Sequence, residues 1–174
     1  SLDFHFNRGS VEFPNLPMWV VKGRGKSWYV HHVDFSGARG TTRETPEQFR
    51  GVVDVNLNGV FHCTQAVLPD MIEAGWGRIV NISMNHDTMR RRGFSPYGPS
   101  KAALESETII WAQDLEGTGV TVNALLPGGA TATGMIPPGL PDAVRATLLE
   151  PEIIVAPLLW LGSAGADGIE GRRP

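Results

Sequence analysis

Cysteine is almost absent from this chain, since Cys63 is its single cysteine. One cysteine excludes a disulfide within the chain and is typical of a reducing compartment, so we expect a cytoplasmic protein. No stretch approaches the roughly 18 apolar residues of a membrane-spanning helix, and no secretory signal segment is expected. The net charge of −3 gives no electrostatic basis for binding nucleic acid or an acidic membrane.

A complete glycine-rich phosphate-binding motif is also missing. Residues 23–25 begin a G-x-G-x-x-G pattern, but Trp28 stands where the third glycine is required. The stretch GKS at 25–27 matches the end of a P-loop, yet Val20 occupies the position of its first glycine. These incomplete matches favour a basic turn between short segments. Because the first glycine is missing, a P-loop nucleotide-binding module is excluded.

Candidate ligands for a metal ion are equally sparse. His31, His32 and Asp34 are close in sequence, but no further partner follows at ligand spacing, so we predict no metal site. The basic run Arg90-Arg91-Arg92 is interpreted as a solvated loop, with contact to a phosphate-bearing substrate as the alternative. No repeat and no low-complexity linker interrupts the chain.

The sequence does contain a tyrosine and a lysine four residues apart, Tyr97 and Lys101, at the start of an amphipathic run. This spacing places both side chains on one face of a helix, about one turn apart. A lysine ammonium near a phenol favours the phenolate, so we expect the pKa of Tyr97 to lie below its usual value of about 10. Such a tyrosine can exchange a proton with a hydroxyl or carbonyl group near neutral pH.

The segments around this pair predict a βαβ unit. The β-branched stretch GRIVNIS at 77–83 and the stretch VTVNALL at 120–126 both indicate buried strands, and the second ends at Pro-Gly. Between them, a helix from Tyr97 to about Leu115 presents an inward stripe that includes Leu104 and Thr108. Strand, helix and strand in this order favour a parallel pairing.

A second long helix is predicted upstream, from Pro46 to about Met71. Thr45, Pro46 and Gln48 form a start signal, with an N-cap threonine, proline at the first helical position and a glutamine to complete a capping box. Apolar residues then recur at helical spacing. Asn56 lies inside this helix, where asparagine is unfavourable on propensity grounds, so it is either solvated or retained for a task.

Four segments occur in order along the chain: VNLNGVF at 55–61, GRIVNIS at 77–83, Tyr97-x-x-x-Lys101, and V-N-x-x-x-P-G at 122–128. Together they resemble the short-chain dehydrogenase/reductase family of NAD(P)-dependent oxidoreductases, over about residues 43–173. The resemblance implies an α/β fold with a Rossmann-like doubly wound parallel sheet, in a single domain of residues 1–174. Residues 1–42 do not resemble the family, so we expect an incomplete or divergent N-terminal half, as in a fragment, an altered reading of the gene or a divergent member.

The resemblance also implies roles for individual residues. Tyr97 would be the general acid/base, Lys101 would lower its pKa and bind the nicotinamide ribose, and Asn56 would hold a water in the proton relay. Pro127 and Gly128 would let the backbone approach the nicotinamide. The family's cofactor-contacting threonine is matched by Thr133, with Thr131 as the alternative. The resemblance as a whole implies NAD or NADP as the cofactor.

The fourth catalytic residue of the family is a serine, which usually lies thirteen residues before the tyrosine. Met84 occupies that position here and Ser83 precedes it, so Ser83 is our candidate. In a regular strand Ser83 and Met84 face opposite sides, and a bulge would bring Ser83 round. Asn85 and Thr88 are the alternative donors.

Two functions follow from these observations. The first is hydride transfer between a nicotinamide and a small-molecule carbonyl or alcohol. The second is a non-catalytic relative that serves as a scaffold or oligomer subunit, which the methionine at position 84 and the missing glycine motif favour. In both cases the resemblance implies a homodimer or homotetramer, formed through the helices near 46–72 and 97–115.

Overall fold

The computed structural model describes residues 18–23, 26–31, 44–134, 136 and 139–171. Its sheet contains four strands in the order β1-β2-β3-β4, namely β1 (Met18–Gly23), β2 (Lys26–His31), β3 (Gly77–Ile82) and β4 (Val120–Leu125). β1 is antiparallel to β2, whereas β2, β3 and β4 are mutually parallel. The predicted α/β class with a parallel sheet is therefore confirmed.

The first two strands form an antiparallel pair that sequence periodicity does not reveal. Gly23 ends β1 and Lys26 begins β2, so the stretch at 23–25 connects two antiparallel strands. A dinucleotide fingerprint instead requires a strand followed by a helix whose N-terminus receives the pyrophosphate. The incomplete glycine pattern at 23–25 is thus not such a fingerprint. The candidate metal cluster at His31, His32 and Asp34 lies outside the residues whose side chains are described.

The helix predicted from Pro46 is present, but it is built in three parts. They are α1 (Pro46–Val53), a single π-helical turn (Asp54–Asn58) and α2 (Gly59–Glu73). The predicted capping box begins α1, because the Thr45 hydroxyl accepts from the Gln48 amide and the Gln48 side chain accepts from the Thr45 amide. The π-helical turn, a rare feature often found at functional sites, contains Asn56.

The βαβ unit matches its prediction closely. α4 (Tyr97–Asp114) joins β3 to β4, which pair in parallel from Gly77 opposite Val120 to Ile82 opposite Leu125. A short helix, α3 (His86–Met89), lies between β3 and α4. After α4 the chain turns at Gly117, whose φ of 80° is a left-handed conformation that glycine adopts at low cost.

The remaining described chain contains short helical segments. These are α5 (Asp142–Arg145), α6 (Val155–Leu161) and two 3₁₀ turns, Pro151–Ile154 and Ala164–Ala166. Leu161 is buried against the sheet, whereas Trp160 is about half exposed. Within the described residues, no helix combines the length and apolar character that a membrane span requires.

Helices cover both faces of the sheet. On one face, α2 and α4 pack on Ile79, Val120 and Val122, and on the other α6 packs on Val80 and Leu125. The alternation follows from the two-residue period of a strand. Each fully buried aliphatic side chain of this kind stabilises the fold by about 1.5–3 kcal/mol. The doubly wound arrangement leaves the carboxyl ends of β3 and β4 together at one edge, which is where ligands bind in open α/β sheets.

Candidate functional site

Tyr97 is the first residue of α4, and its side chain is buried beside the carboxyl edge of the sheet. It packs in a small apolar cluster with Val52 of α1, and Met84 and Phe94 lie against the same cluster. Residues from α1 and from the connection after β3 therefore surround the phenol, while α4 sets its position.

The residue after the tyrosine has to be a glycine for α4 to lie where it does. A Cβ built on Gly98 would stand 2.0 Å from the Met89 carbonyl oxygen, well inside the contact limit. The Gly98 amide also donates to the Phe94 carbonyl at 2.6 Å. Close approach of the first turn of α4 to the end of α3 is thus possible only without a side chain at position 98.

Lys101 lies one turn further along α4 and is 1% exposed. Its Nζ donates to the Ile82 carbonyl at 2.8 Å and stands 5.9 Å from the centroid of the Tyr97 ring. The sequence prediction that these two side chains share a face of one helix is consistent with this geometry. The lysine also ties α4 to the last residue of β3.

Burial, rather than attraction between the two groups, dominates their proton affinities. Desolvation raises the pKa of Tyr97 to about 12 and lowers the pKa of Lys101 to about 7, the latter opposed by the Glu105 carboxylate. The prediction of a depressed pKa for Tyr97 is therefore wrong for the protein alone. The reason is that Lys101 is itself largely desolvated, so it is only partly charged near pH 7 and aims its ammonium at a backbone carbonyl.

Asn56 is fully buried and is tied to the same helix. Its Nδ2 donates to the Ser100 hydroxyl at 3.1 Å, and that hydroxyl donates to the Tyr97 carbonyl at 2.7 Å. Among the residues that the structure describes, the Asn56 Oδ1 accepts no hydrogen bond. A buried acceptor without a donor is costly, so this oxygen is available to a water or to a bound group.

Ser83 follows β3 and turns its hydroxyl toward α4. The hydroxyl donates to the Glu105 carboxylate at 2.5 Å. Ser83 thus lies on the face of the sheet that packs against α4, as do Ile79 and Asn81. The other Glu105 oxygen lies 3.4 Å from the His86 Nε2. In this arrangement the Ser83 proton is directed to Glu105.

Met84 packs against the cluster of Val52 and Tyr97, at the position where the resemblance noted above would place a serine. The alternation continues through Ser83, whose amide donates to the Leu125 carbonyl at 2.9 Å, and the chain turns into α3 at His86. The turn allows Ser83 and Met84 to face two different parts of α4. A thioether is a weak acceptor and cannot donate, so Met84 offers no hydrogen bond to a carbonyl oxygen.

The predicted cofactor-contacting residues follow β4 at the same edge of the sheet. Pro127 is half-buried, and Gly128 is exposed with a φ of 87° and no atom within 4 Å of an added Cβ. The loop beyond is held by Leu149, which forms a parallel bridge with Thr131, and by a bond from the Thr133 amide to the Thr131 carbonyl at 2.8 Å.

Two residues of this site were not predicted from the sequence. Ser100 links Asn56 to α4, and Glu105 receives the Ser83 hydroxyl. Glu105 had a visible signal, because it follows Lys101 by four residues and so continues the stripe that begins at Tyr97. Ser100 had none, since its partner is 44 residues distant in the chain.

The described residues fit the nicotinamide and ribose end of a dinucleotide. The orphaned acceptor on Asn56, the buried ammonium of Lys101 and the open space at Gly128 are all placed toward the carboxyl edge of the sheet. No part of the described chain groups three or more histidine, cysteine or acidic side chains as a metal ion would require.

A doubly wound sheet with a Tyr-Lys helix at its carboxyl edge defines a Rossmann-like protein of the dehydrogenase type. The sequence profile of the short chain dehydrogenases matches residues 33–139, which is more than half of the chain. The chain belongs to the short chain dehydrogenase family.

Individual relatives and solved structures agree with this assignment. The acetoacetyl-CoA reductase of Cupriavidus necator is 36% identical over 118 residues, which are 68% of this chain and 46% of that protein. A short chain dehydrogenase from Salmonella enterica serovar Typhi superposes with a TM-score of 0.75 at 26% identity, covering 84% of this chain and 60% of that one.

A third comparison is with a gluconate 5-dehydrogenase from Burkholderia cenocepacia in complex with NADP and tartrate. Its TM-score is 0.68 at 26% identity, over 78% of this chain and 56% of that one. The chain spans about half the length of the curated relatives it matches.

Proposed function

We propose that this protein is an NAD(P)-dependent oxidoreductase that transfers hydride between a nicotinamide and a small carbonyl or alcohol substrate. The observation that carries the proposal is the buried pair of Tyr97 and Lys101, with Asn56 tied to the same helical turn through Ser100. Membership of the short chain dehydrogenase family supports it, as do the reductase and dehydrogenase activities of the relatives.

Each residue has a defined part in this proposal. A bound nicotinamide would supply the hydride chemistry. The Tyr97 hydroxyl would give its proton to the substrate oxygen in reduction and take it back in oxidation. Lys101 would donate to the cofactor ribose, and the free Asn56 acceptor would hold the water through which the tyrosine is reprotonated. Pro127, Gly128 and Thr133 would line the nicotinamide end.

The protonation state of Tyr97 in the protein alone suits reduction of a carbonyl substrate. A phenol with a pKa of about 12 is protonated throughout the neutral range, so Tyr97 is prepared to donate rather than to accept. Alcohol oxidation would require the phenolate, which the apolar surroundings of Tyr97 disfavour.

Ser83 remains the proposed fourth member of the catalytic set. Its hydroxyl would have to leave the Glu105 carboxylate before it could donate to a substrate oxygen. A missing preorganised donor typically reduces the rate by about 10²–10³. We therefore expect slow turnover, with carbonyl polarisation supplied mainly by Tyr97.

The acetoacetyl-CoA reductase relationship directs the choice of first substrate. A 3-oxoacyl thioester is a small carbonyl compound whose reduction needs one hydride and one proton, which the proposed site supplies. We propose this class for the first assays, together with gluconate as the alcohol-direction probe suggested by the structural neighbour.

The test is a fluorescence titration of the full chain with NADH and NADPH, which emit more strongly in an apolar site. Saturable binding of either, weakened in Lys101→Met, would support the oxidoreductase. A folded protein that binds neither at millimolar concentration would refute it. The variant is the matched control, because it removes the ribose donor while leaving Tyr97 and the neighbouring chain in place.

A non-catalytic scaffold is the second candidate, and two observations favour it. Met84 stands at the serine position, and the only approach to a glycine fingerprint connects two antiparallel strands. A scaffold would fold and associate but show no binding in the titration above. The two functions are thereby separated in one experiment.

We also propose that two copies of the chain associate through α2 and α4. Phe61 of α2 and Ile109 and Ile110 of α4 are all more than a third exposed, and the Phe61 ring lies 6.5 Å from that of Trp111. Solvent contact at adjoining large apolar side chains is unfavourable and marks an interface. Light scattering should give a dimer or tetramer, and Ile109→Glu combined with Ile110→Glu should give a monomer.

The single-domain organisation of residues 1–174 and a cytoplasmic location belong to the same proposal. The family match over residues 33–139 supports the first, and the single cysteine, which is free and buried in α2, supports the second.

A further inference from the structure

Glu105 is a buried acidic residue that the proposed proton transfer does not use. It lies on α4 one turn after Lys101, and only 7% of its surface is exposed to solvent. A carboxylate is rarely buried unless charged or hydrogen-bonding partners surround it. Its partners therefore indicate what it does.

Two consecutive residues at the end of β3 are held by two residues one turn apart on α4. Lys101 donates to the Ile82 carbonyl at 2.8 Å, and Glu105 accepts from the Ser83 hydroxyl at 2.5 Å. Hydrogen bonds that involve an ionised group are roughly twice as strong as neutral ones. Met84 is the next residue along the chain, so this double attachment also sets where its side chain meets Tyr97.

Glu105 is also the charged group that offsets the burial of Lys101. Its negative charge raises the proton affinity of that lysine against desolvation. In the described contacts, the titratable groups around Lys101 are Tyr97 and Glu105 of α4 and, one contact further out, His86 of α3. Glu105 therefore lies between the half-exposed His86 and the buried lysine.

We propose that Glu105 is a positioning residue of the site, which holds the end of β3 through Ser83 and favours the charged form of Lys101. Its relevance to catalysis rests on the proposed oxidoreductase function, whereas its effect on Lys101 can be measured without cofactor. The neighbouring charge makes the ammonium available to donate two kinds of hydrogen bond, to the Ile82 carbonyl and to an incoming ribose.

The test is NMR titration of the full chain with ¹³C-labelled lysine. The lysines of the chain are Lys22, Lys26 and Lys101, and Lys101→Arg assigns the third signal. In Glu105→Gln the amide keeps an acceptor for Ser83 but loses the charge, so the titration midpoint of Lys101 should fall by about one pH unit. Glu107→Gln on the same helix is the matched control and should leave it unchanged.

The structural half of the proposal has its own variant. Ser83→Ala removes the donor and retains the carboxylate, so it should shift the backbone amide signal of Glu105, 22 residues away in the chain, while Lys101 still titrates near its original midpoint. An unchanged Lys101 midpoint in Glu105→Gln would overturn the electrostatic role, and an unchanged Glu105 signal in Ser83→Ala would overturn the attachment.

A third readout links Glu105 to function. If the protein binds NADPH, Glu105→Gln should weaken binding near pH 7 and shift the loss of binding at alkaline pH to lower pH. NADPH binding with an unaltered pH profile in this variant would contradict the proposal. Failure of the wild type to bind any cofactor would refute the oxidoreductase alone, because the lysine titration stands independently of it.

Discussion

Replacing Lys101 with methionine should remove a large pH dependence from the stability of this protein. Lys101 is 1% exposed, and burial lowers its pKa from 10.5 to about 7. Between those values the unfolded chain binds a proton that the folded protein does not. Stability therefore rises with pH across this window, and the penalty for the buried charge is fully present below about pH 7.

The magnitude follows from the size of the shift. Each pKa unit corresponds to about 1.36 kcal/mol, so charging Lys101 in the folded protein costs about 5 kcal/mol relative to the unfolded chain. Between pH 7 and pH 9, relief of that cost should stabilise the wild type by about 2 kcal/mol. Lys101→Met leaves the Ile82 carbonyl without its donor, which costs about 1–3 kcal/mol, but this cost does not vary with pH.

The assay is urea unfolding of the wild type and of Lys101→Met at pH 7, 8 and 9. The difference between the two free energies of unfolding should move in favour of the wild type by about 2 kcal/mol over this range. Titration of other groups, such as the buried Cys63 thiol with its raised pKa, occurs in both proteins and cancels. A difference that stays constant with pH would refute the assignment of Lys101 as a lysine with a depressed pKa.

Four further substitutions test the site. Tyr97→Phe should leave the stability within about 1 kcal/mol but lower any turnover by at least about 10²-fold, measured with NADPH and a 3-oxoacyl thioester. Met84→Ser should raise that turnover by up to about 100-fold, since it supplies a donor at the family's serine position. Asn56→Leu should change the free energy of unfolding by less than about 1 kcal/mol, because it removes an unsatisfied acceptor together with one hydrogen bond, yet reduce turnover. Gly98→Ala should destabilise the fold by about 1–3 kcal/mol, because its methyl group would meet the Met89 carbonyl.

Each of these has a clear contrary result. Full turnover in Tyr97→Phe would exclude the tyrosine as the proton donor. No gain in Met84→Ser would mean that another group already polarises the substrate. Normal turnover in Asn56→Leu would remove the asparagine from the relay, and a Gly98→Ala protein as stable as the wild type would show that α3 and α4 separate easily.

The strands of the βαβ unit and the helix that precedes it were predictable because their signals are local. The β-branched run at 77–82 and the capping box at Thr45 each act within a few residues, and each occurs in the structure where the sequence places it. The π-helical turn was not predictable, because the apolar residues recur at helical spacing through it and its contacts with α4 join residues distant in the chain.

The pKa values of Tyr97 and Lys101 also show the difference between what local spacing indicates and what the tertiary surroundings decide. Spacing alone indicated that Lys101 would lower the pKa of Tyr97, since the two side chains are one turn apart. The structure reverses this expectation, because desolvation is a property of the whole surroundings and both groups are buried. Sequence spacing records which groups are neighbours but not how much water reaches them.

The candidate set of Tyr97, Lys101 and Asn56 came from motifs that resemble the family. By itself, the sequence determined the α/β class and the order of the strands and helices around that set. Those features depend on residue type and short-range periodicity, which a linear chain displays directly. Only the tertiary structure decided that Ser83 turns to Glu105 and that Met84 contacts Tyr97. Both outcomes depend on how the chain bends after β3 against a helix that begins only at Tyr97, a packing relation that no local pattern encodes.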